Sequence, residues 1–120
     1  HPEFGLWHAY RAALVFDRVL DLPAAPVRAH PCDTCAGRPC LKTCPVGAVT
    51  DQGYAVDNCA RHVGSREGRA CRSIGCLARR ACPVGAGQVY PDRAMAFHMA
   101  AFLRGRGLAV LHPEESDGVH

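Results

Sequence analysis

The chain has 120 residues, a formal charge of +3 and 48% apolar residues, a balance that fits one domain with a modest core. Aromatic residues make up only 7%, so large side chains fill little of that core, and the weak charge gives no footing for a nucleic-acid partner. No run is long and apolar enough to span a membrane, and no charged n-region precedes an apolar stretch and a small-residue cleavage site, so the expectation is a cytoplasmic protein without a membrane partner. The first residue is His1 rather than Met, which suggests an excerpt or processed product of a longer chain.

In chain order, residues 6–20 (LWHAYRAALVFDRVL) read as an amphipathic helix within an N-terminal helical extension, 1–28. Leu6, Tyr10, Ala13, Leu14 and Leu20 share its broad apolar face, and His8, Arg11 and Arg18 lie opposite. Pro23 and Pro26 end it. Trp7 and Tyr10 are expected to pack rather than to stack on a cofactor. Residues 29–90 form a cysteine-bearing core that begins as loop, with Pro31, Gly37, Pro39, Pro45 and Gly47. Residues 48–50 and 54–56, separated by Asp51-Gln52-Gly53, predict a short antiparallel hairpin. Asp57 or Asn58 is placed to cap a helix bearing Cys59 and His62. A Gly/Ser/charged stretch, 64–68, loops back to Cys71, and 71–81 can be helical, with Gly75 as its weak point. Pro91 opens a C-terminal helix, 91–107, with Met95, Met99, Phe102 and Leu103 as its stripe and Gly105 or Gly107 as its stop. Residues 108–120 make a tail whose last part, HPEESDGVH, is acidic and expected to be mobile. The fold class expected is α+β, α-rich, with one small hairpin between flanking helices.

The chemistry lies in eight cysteines set out as two quartets. The first is Cys32-x2-Cys35-x4-Cys40-x3-Cys44-Pro45, and the second is Cys59-x11-Cys71-x4-Cys76-x5-Cys82-Pro83. Each closes on the same Cys-Pro-Val-Gly-Ala. Eight thiolates are the ligand count of two four-iron clusters. A close cysteine pair and a third cysteine a few residues on occupy one side of a cube. The fourth ligand then has to arrive from another direction, because one short loop does not readily wrap all four corners. Pro45 and Pro83 remove a backbone N–H and fix φ as the chain leaves, and Gly47 and Gly85 permit the turn that follows.

Over residues 29–90 these motifs resemble bacterial-type two-cluster ferredoxins, in which the cysteine before the proline serves the other cluster. The resemblance implies a ferredoxin-like core holding two 4Fe-4S clusters. Carried over position by position, it puts Cys32, Cys35, Cys40 and Cys82 on cluster one and Cys59, Cys71, Cys76 and Cys44 on cluster two. The spacings are wider than in a minimal ferredoxin. They are similar to those of the iron–sulfur modules of epoxyqueuosine reductase and reductive dehalogenases, where clusters feed electrons to a corrinoid on another domain. At Cys59 two readings stay open: a free thiol, or a ligand carried inward by a remodelled loop. Zinc is the competing metal, and the same cysteines could serve as a zinc staple of an interaction module. The Cys32/Cys35 and Cys40/Cys44 pairs nevertheless lie closer together than in a usual zinc ribbon.

The expected function is electron transfer, either as a ferredoxin-like carrier or as the electron-feeding module of an oxidoreductase. No Gly-x-Ser-x-Gly, Walker, GxGxxG or His-Glu-x-x-His motif occurs, and no carboxylate pair is spaced for acid–base work, so no catalytic residue is assigned. The partner expected is a redox protein or an upstream catalytic domain. Arg61, Arg66, Arg69, Arg72, Arg79 and Arg80, against Glu67 alone, could dock its acidic surface, offset cluster charge or simply solvate a helix face. His30 and His62 lie near cluster ligands in sequence and His98 edges the last helix; ordinary hydrogen-bonded or packed histidines are expected at all three.

Overall fold

A computed structural model describes residues 1–109. It is α-rich, with a single two-stranded antiparallel hairpin among the described residues. The helices are α1 (Pro39–Thr43), α2 (Val56–Gly64), α3 (Arg69–Ile74), α4 (Leu77–Arg80) and α5 (Asp92–Gly105), and the strands are β1 (Val49–Thr50) and β2 (Gly53–Tyr54). Two 3-10 turns, Pro31–Asp33 and Ala86–Gln88, complete the set. None of these helices is long and apolar enough to cross a membrane. The acidic tail expected at the C-terminus falls on positions 112–120, outside the described residues.

The last helix follows its sequence signal, and the hairpin forms with a shorter second strand than expected: it takes in Gly53 from the turn and ends at Tyr54, because Val56 opens α2. Val49 pairs with Tyr54 and Thr50 with Gly53. The Thr50 hydroxyl closes the turn, donating to the Gly53 carbonyl and accepting the N–H groups of Gln52 and Gly53. Pro91 is the N-cap of α5, and Arg106 ends it before Gly107 turns at φ 68°. Met95 and Leu103 on its stripe are fully buried. Leu103 forms the centre of the core with Val63 of α2 and Cys71 of α3, and Cys59, Leu77 and Met99 pack around them. Burying such a stripe is what holds a helix of this length in water.

The expected helix over 6–20 does not form. Residues 1–8 make tight turns held by Gly5 N–H to His1 O and Trp7 N–H to Phe4 O, both 2.8 Å, and residues 9–30 run without regular structure. The physical reason is tertiary. The described chain leaves the middle of the apolar stripe open, with Tyr10 91% and Leu14 82% exposed, and neighbouring Val19 is 99% exposed. Without burial, the β-branched and aromatic residues Val15, Phe16 and Val19 make a poor isolated helix. Tyr10 is therefore not a packing residue. Trp7 is one, at 3% exposure, with its ring edge-on to Tyr90 and the Arg79 guanidinium over its face.

Two smaller departures have local causes. Helix α2 starts two residues earlier than a cap at Asp57 would allow and three earlier than one at Asn58, with Ala55 at the N-cap position and no side chain capping it. Asp57 instead sits in the first turn, where a carboxylate favours the helix dipole, and pairs with Arg106. The helix expected over 71–81 is broken into α3 and α4 at Gly75, whose φ of 86° and ψ of −172° suit glycine alone. A Cβ there would lie 2.2 Å from Met95 Cε and 2.9 Å from Met95 Cβ, so the break also lets α5 approach α3 closely.

Candidate metal centres

The eight cysteines gather around two cavities. Cys32, Cys35, Cys40 and Cys82 line one of about 540 Å³. Cys44, Cys59, Cys71 and Cys76 line the other, of about 200 Å³. Each cavity thus takes three cysteines from one quartet and the last cysteine from the other. All eight are free thiols, and among the described residues no three His, Cys, Asp or Glu side chains converge closely enough to hold a single ion.

The crossing arises from how α1 packs on α4. Helix α1 carries Cys40 in its first turn and ends at Cys44, while Cys76 caps α4 and Cys82 follows it. Because Cys40 shares a cavity with Cys82, and Cys44 with Cys76, the two short helices run antiparallel. One cavity opens at each end of the pair. A five-residue helix is roughly 7 Å long, so the centres of the two cavities stand on the order of 10 Å apart. After each Cys-Pro the chain turns at a glycine with positive φ, Gly47 at 58° and Gly85 at 71°.

The widened spacings are absorbed locally. Four residues lie between Cys35 and Cys40; there Gly37 at φ 72° and Arg38 at φ 40° reverse the chain, and Pro39 starts α1 with φ already suited to a helix. The eleven residues between Cys59 and Cys71 hold the rest of α2, a loop and the start of α3. Arg72 ties that loop down by donating to the Val63 and Ser65 carbonyls. The result carries Cys59 to the same cavity as Cys71 and Cys76.

The cavities differ in character. The smaller is walled by apolar groups, among them Val63, Met99 and Phe102, and Cys71 is buried. The larger is bordered by His8, His30, Arg38 and Asp51, and Cys32 is exposed. Among the described residues, one backbone donor points at a cysteine sulfur. Ala48 N–H donates to Cys44 Sγ at 3.2 Å. The nearby Leu41 and Leu77 N–H groups and the Tyr54 hydroxyl act to lower the Cys40, Cys71 and Cys59 thiols respectively. Burial nevertheless pushes the Cys40, Cys59 and Cys71 thiols up from the usual range, and neighbouring cysteines add to the shift: Cys82 and Cys32 for Cys40, Cys76 and Cys44 for both Cys59 and Cys71. Four thiolates gathered in such a space would repel one another; protonation relieves that repulsion, and so would a bound cationic metal.

The histidines and arginines take structural parts. His30 accepts the Cys32 N–H on Nδ1 at 3.2 Å and so caps the 3-10 turn that carries this cysteine. His98 is half-buried beside Tyr90 and Phe97. His62 is half-buried at the wall of the smaller cavity. Of the six arginines, Arg72, Arg79 and Arg80 each donate to backbone carbonyls within the molecule, and Arg80 also pairs with Asp92. Arg61, Arg66 and Arg69 stay exposed.

Sequence reasoning missed Ala48 as a donor to Cys44 Sγ and Arg79 as a brace. No protein-family model matches this chain, and no curated protein or solved structure matches it either.

Proposed function

We propose that this chain carries electrons through two 4Fe-4S clusters, one on Cys32, Cys35, Cys40 and Cys82 and one on Cys44, Cys59, Cys71 and Cys76. The observation that supports it most is the sorting of eight thiols, four and four, around two separate cavities. The residues fit the group: soft thiolate donors only, room for a multi-iron centre, and the Ala48 N–H aimed at Cys44 Sγ. A single zinc needs four thiolates about 2.3 Å from one point, whereas these cysteines stand around cavities.

Each cluster supplies reversible one-electron chemistry when bound. The chain's own residues hold the thiolates in place, and Met99 and Phe102 shield the smaller cavity from water. The chain acts as a ferredoxin-like carrier or as the electron-feeding module of a reductase, and it transforms no substrate by itself. Its partner is a redox protein or a catalytic domain. Of the six arginines between residues 61 and 80, Arg61, Arg66 and Arg69 are the exposed ones that would meet an acidic docking face. A reducing compartment such as the cytoplasm suits eight free thiols.

Iron and acid-labile sulfide in anaerobically prepared protein test this directly, with about eight of each expected per chain. Cys44→Ser should lose one centre, and Cys44→Ser with Cys76→Ser should lose no more than that. Cys44→Ser with Cys40→Ser should lose both. Stoichiometric zinc without labile sulfide after anaerobic reconstitution would refute the clusters. Loss of both centres in the Cys44/Cys76 double variant, with one retained in the Cys40/Cys44 variant, would refute the crossed assignment.

A further inference from the structure

Residues 4–8 interlock with the turn that follows Cys82. Gly5 and Gly85 both take positive φ, 53° and 71°, and neither has room for a side chain. A Cβ on Gly5 would lie 2.8 Å from Cys82 Sγ and 2.9 Å from the Val84 carbonyl oxygen, and one on Gly85 would strike the Phe4 carbonyl. The two backbones therefore meet directly. Gly5, Leu6 and His8 join Cys32, Cys35, Cys40 and Cys82 in lining the larger cavity. Other bonds hold the segment down. Arg79 donates to the Leu6 and His8 carbonyls, both at 2.5 Å, and His8 Nδ1–H donates to Gly5 O at 2.9 Å. Trp7 lies buried with the Arg79 guanidinium over its ring. We propose that residues 4–8 form a strap over the Cys82 corner of the larger cavity, latched by Arg79, and that the opening of this strap governs how readily the centre there gains and loses metal.

The turn after Cys44 shows what the strap adds. It repeats the Cys-Pro-Val-Gly sequence and the positive φ, 58° at Gly47, yet a Cβ on Gly47 would meet nothing within 4 Å among the described residues. Val46 is exposed there, whereas Val84 is half-buried. The cover is thus no requirement of the Cys-Pro turn, and one cavity alone receives it. The walls of the two cavities say why it matters. The smaller has Val63, Cys71 and Ala78 as buried residues in its wall. Among the described residues that line the larger, Gly5 is the only buried one. Lifting the strap removes that residue and opens Cys82 Sγ to water, and solvent access of this kind controls how a metal centre holds its ligands. The closed state is also relieved by opening. Trp7 Nε1 is buried with no partner among the described residues, and water accepts that N–H once the strap lifts. Arg79 is a positioning residue here: its side chain does not line the cavity and holds the strap that does.

The inference rests on the two-cluster reading, and iron release from the loaded full-length chain tells the two apart. Iron and labile sulfide are counted first, and a chelator then draws the iron in two phases. Arg79→Ala frees the strap, and Gly5→Ala drives a Cβ against Cys82 Sγ. Each should speed one phase roughly tenfold or more and leave the other at its wild-type rate. Alkylation at the end of the accelerated phase should mark Cys32, Cys35, Cys40 and Cys82. A general loss of stability would speed both phases, so the second centre is the control within the same molecule. If the variants fail to load, the wild-type chain decides. At low urea, hydrogen exchange at the Gly5 and Trp7 amides and release of iron from the larger centre should rise by the same factor. Iron release that does not follow that exchange, both phases or neither accelerated in the variants, or the other four cysteines marked, would overturn the strap inference and leave the clusters standing. A wild-type chain without labile sulfide would overturn the cluster reading, and the inference with it.

Discussion

Arg79→Ala should detach the N-terminal turns from the body of the protein. Arg79 donates through Nε to the Leu6 carbonyl and through Nη2 to the His8 carbonyl. Its guanidinium carbon lies 5.2 Å from the Trp7 ring centroid and 5.7 Å from that of Tyr90. Hydrogen bonds from a charged donor contribute about 1.5 kcal/mol each at the low end that suits a half-buried arginine, and the stacking adds about 0.5 kcal/mol. Water recovers part of this by solvating the freed carbonyls, which leaves about 2–3 kcal/mol. At 1.4 kcal/mol per tenfold, the detached population rises roughly thirty- to hundredfold. Hydrogen exchange at Gly5 and Trp7, whose amides donate to His1 O and Phe4 O, reads that ratio by mass spectrometry of the N-terminal peptide. Trp7 is the chain's only tryptophan, so acrylamide quenching of its emission is an independent check. An exchange rate within about threefold of wild type, with quenching unchanged, would refute the argument that Arg79 pins this segment.

Gly75→Ala should cost about 2–5 kcal/mol, from a backbone conformation closed to alanine and a Cβ driven into Met95; a chemical-denaturation midpoint equivalent to less than 1 kcal/mol would contradict the packing described. Chelation should remove iron in two phases of about four each, the fast one from the centre beside exposed Cys32 and the slow one from the centre beside buried Cys71, as absorbance against time would report. Complete removal should expose residues 31–47 to proteolysis, because neither the first 3-10 turn nor α1 buries a residue of its own; retained resistance would show that the loops stand without metal.

The legible parts of this chain were those whose signal is local. The stripe of α5 and the turn chemistry of the hairpin each lie within one element, and both elements form, the hairpin with its second strand cut short where α2 begins at Val56. Gly75 marked the weak point of the helix it breaks. Residues 6–20 carry as good a periodicity, yet periodicity states only that a face could be buried. Whether anything covers it is a property of the whole molecule, and here Leu14 and Val19 meet solvent. The grouping of Cys44 with Cys59, Cys71 and Cys76 could be anticipated from the Cys-Pro endings. The work of Arg72 and Arg79 could not, since a long side chain bonding to distant carbonyls leaves no trace in spacing.

The antiparallel seating of α1 on α4 also imposes an order of construction. Residue 76 must be synthesised before the smaller cavity has its fourth thiol, and residue 82 before the larger has its own. Although the larger cavity receives three of its cysteines first, it is completed last. During synthesis Cys32, Cys35 and Cys40 therefore wait, on loops with no buried residue to hold them, while about forty more residues emerge from the ribosome, some seconds at ordinary elongation rates. A donor of preformed metal clusters that arrived in that interval would find an incomplete ring of ligands on the nascent chain and a complete one only after Cys82 had swung back across α1.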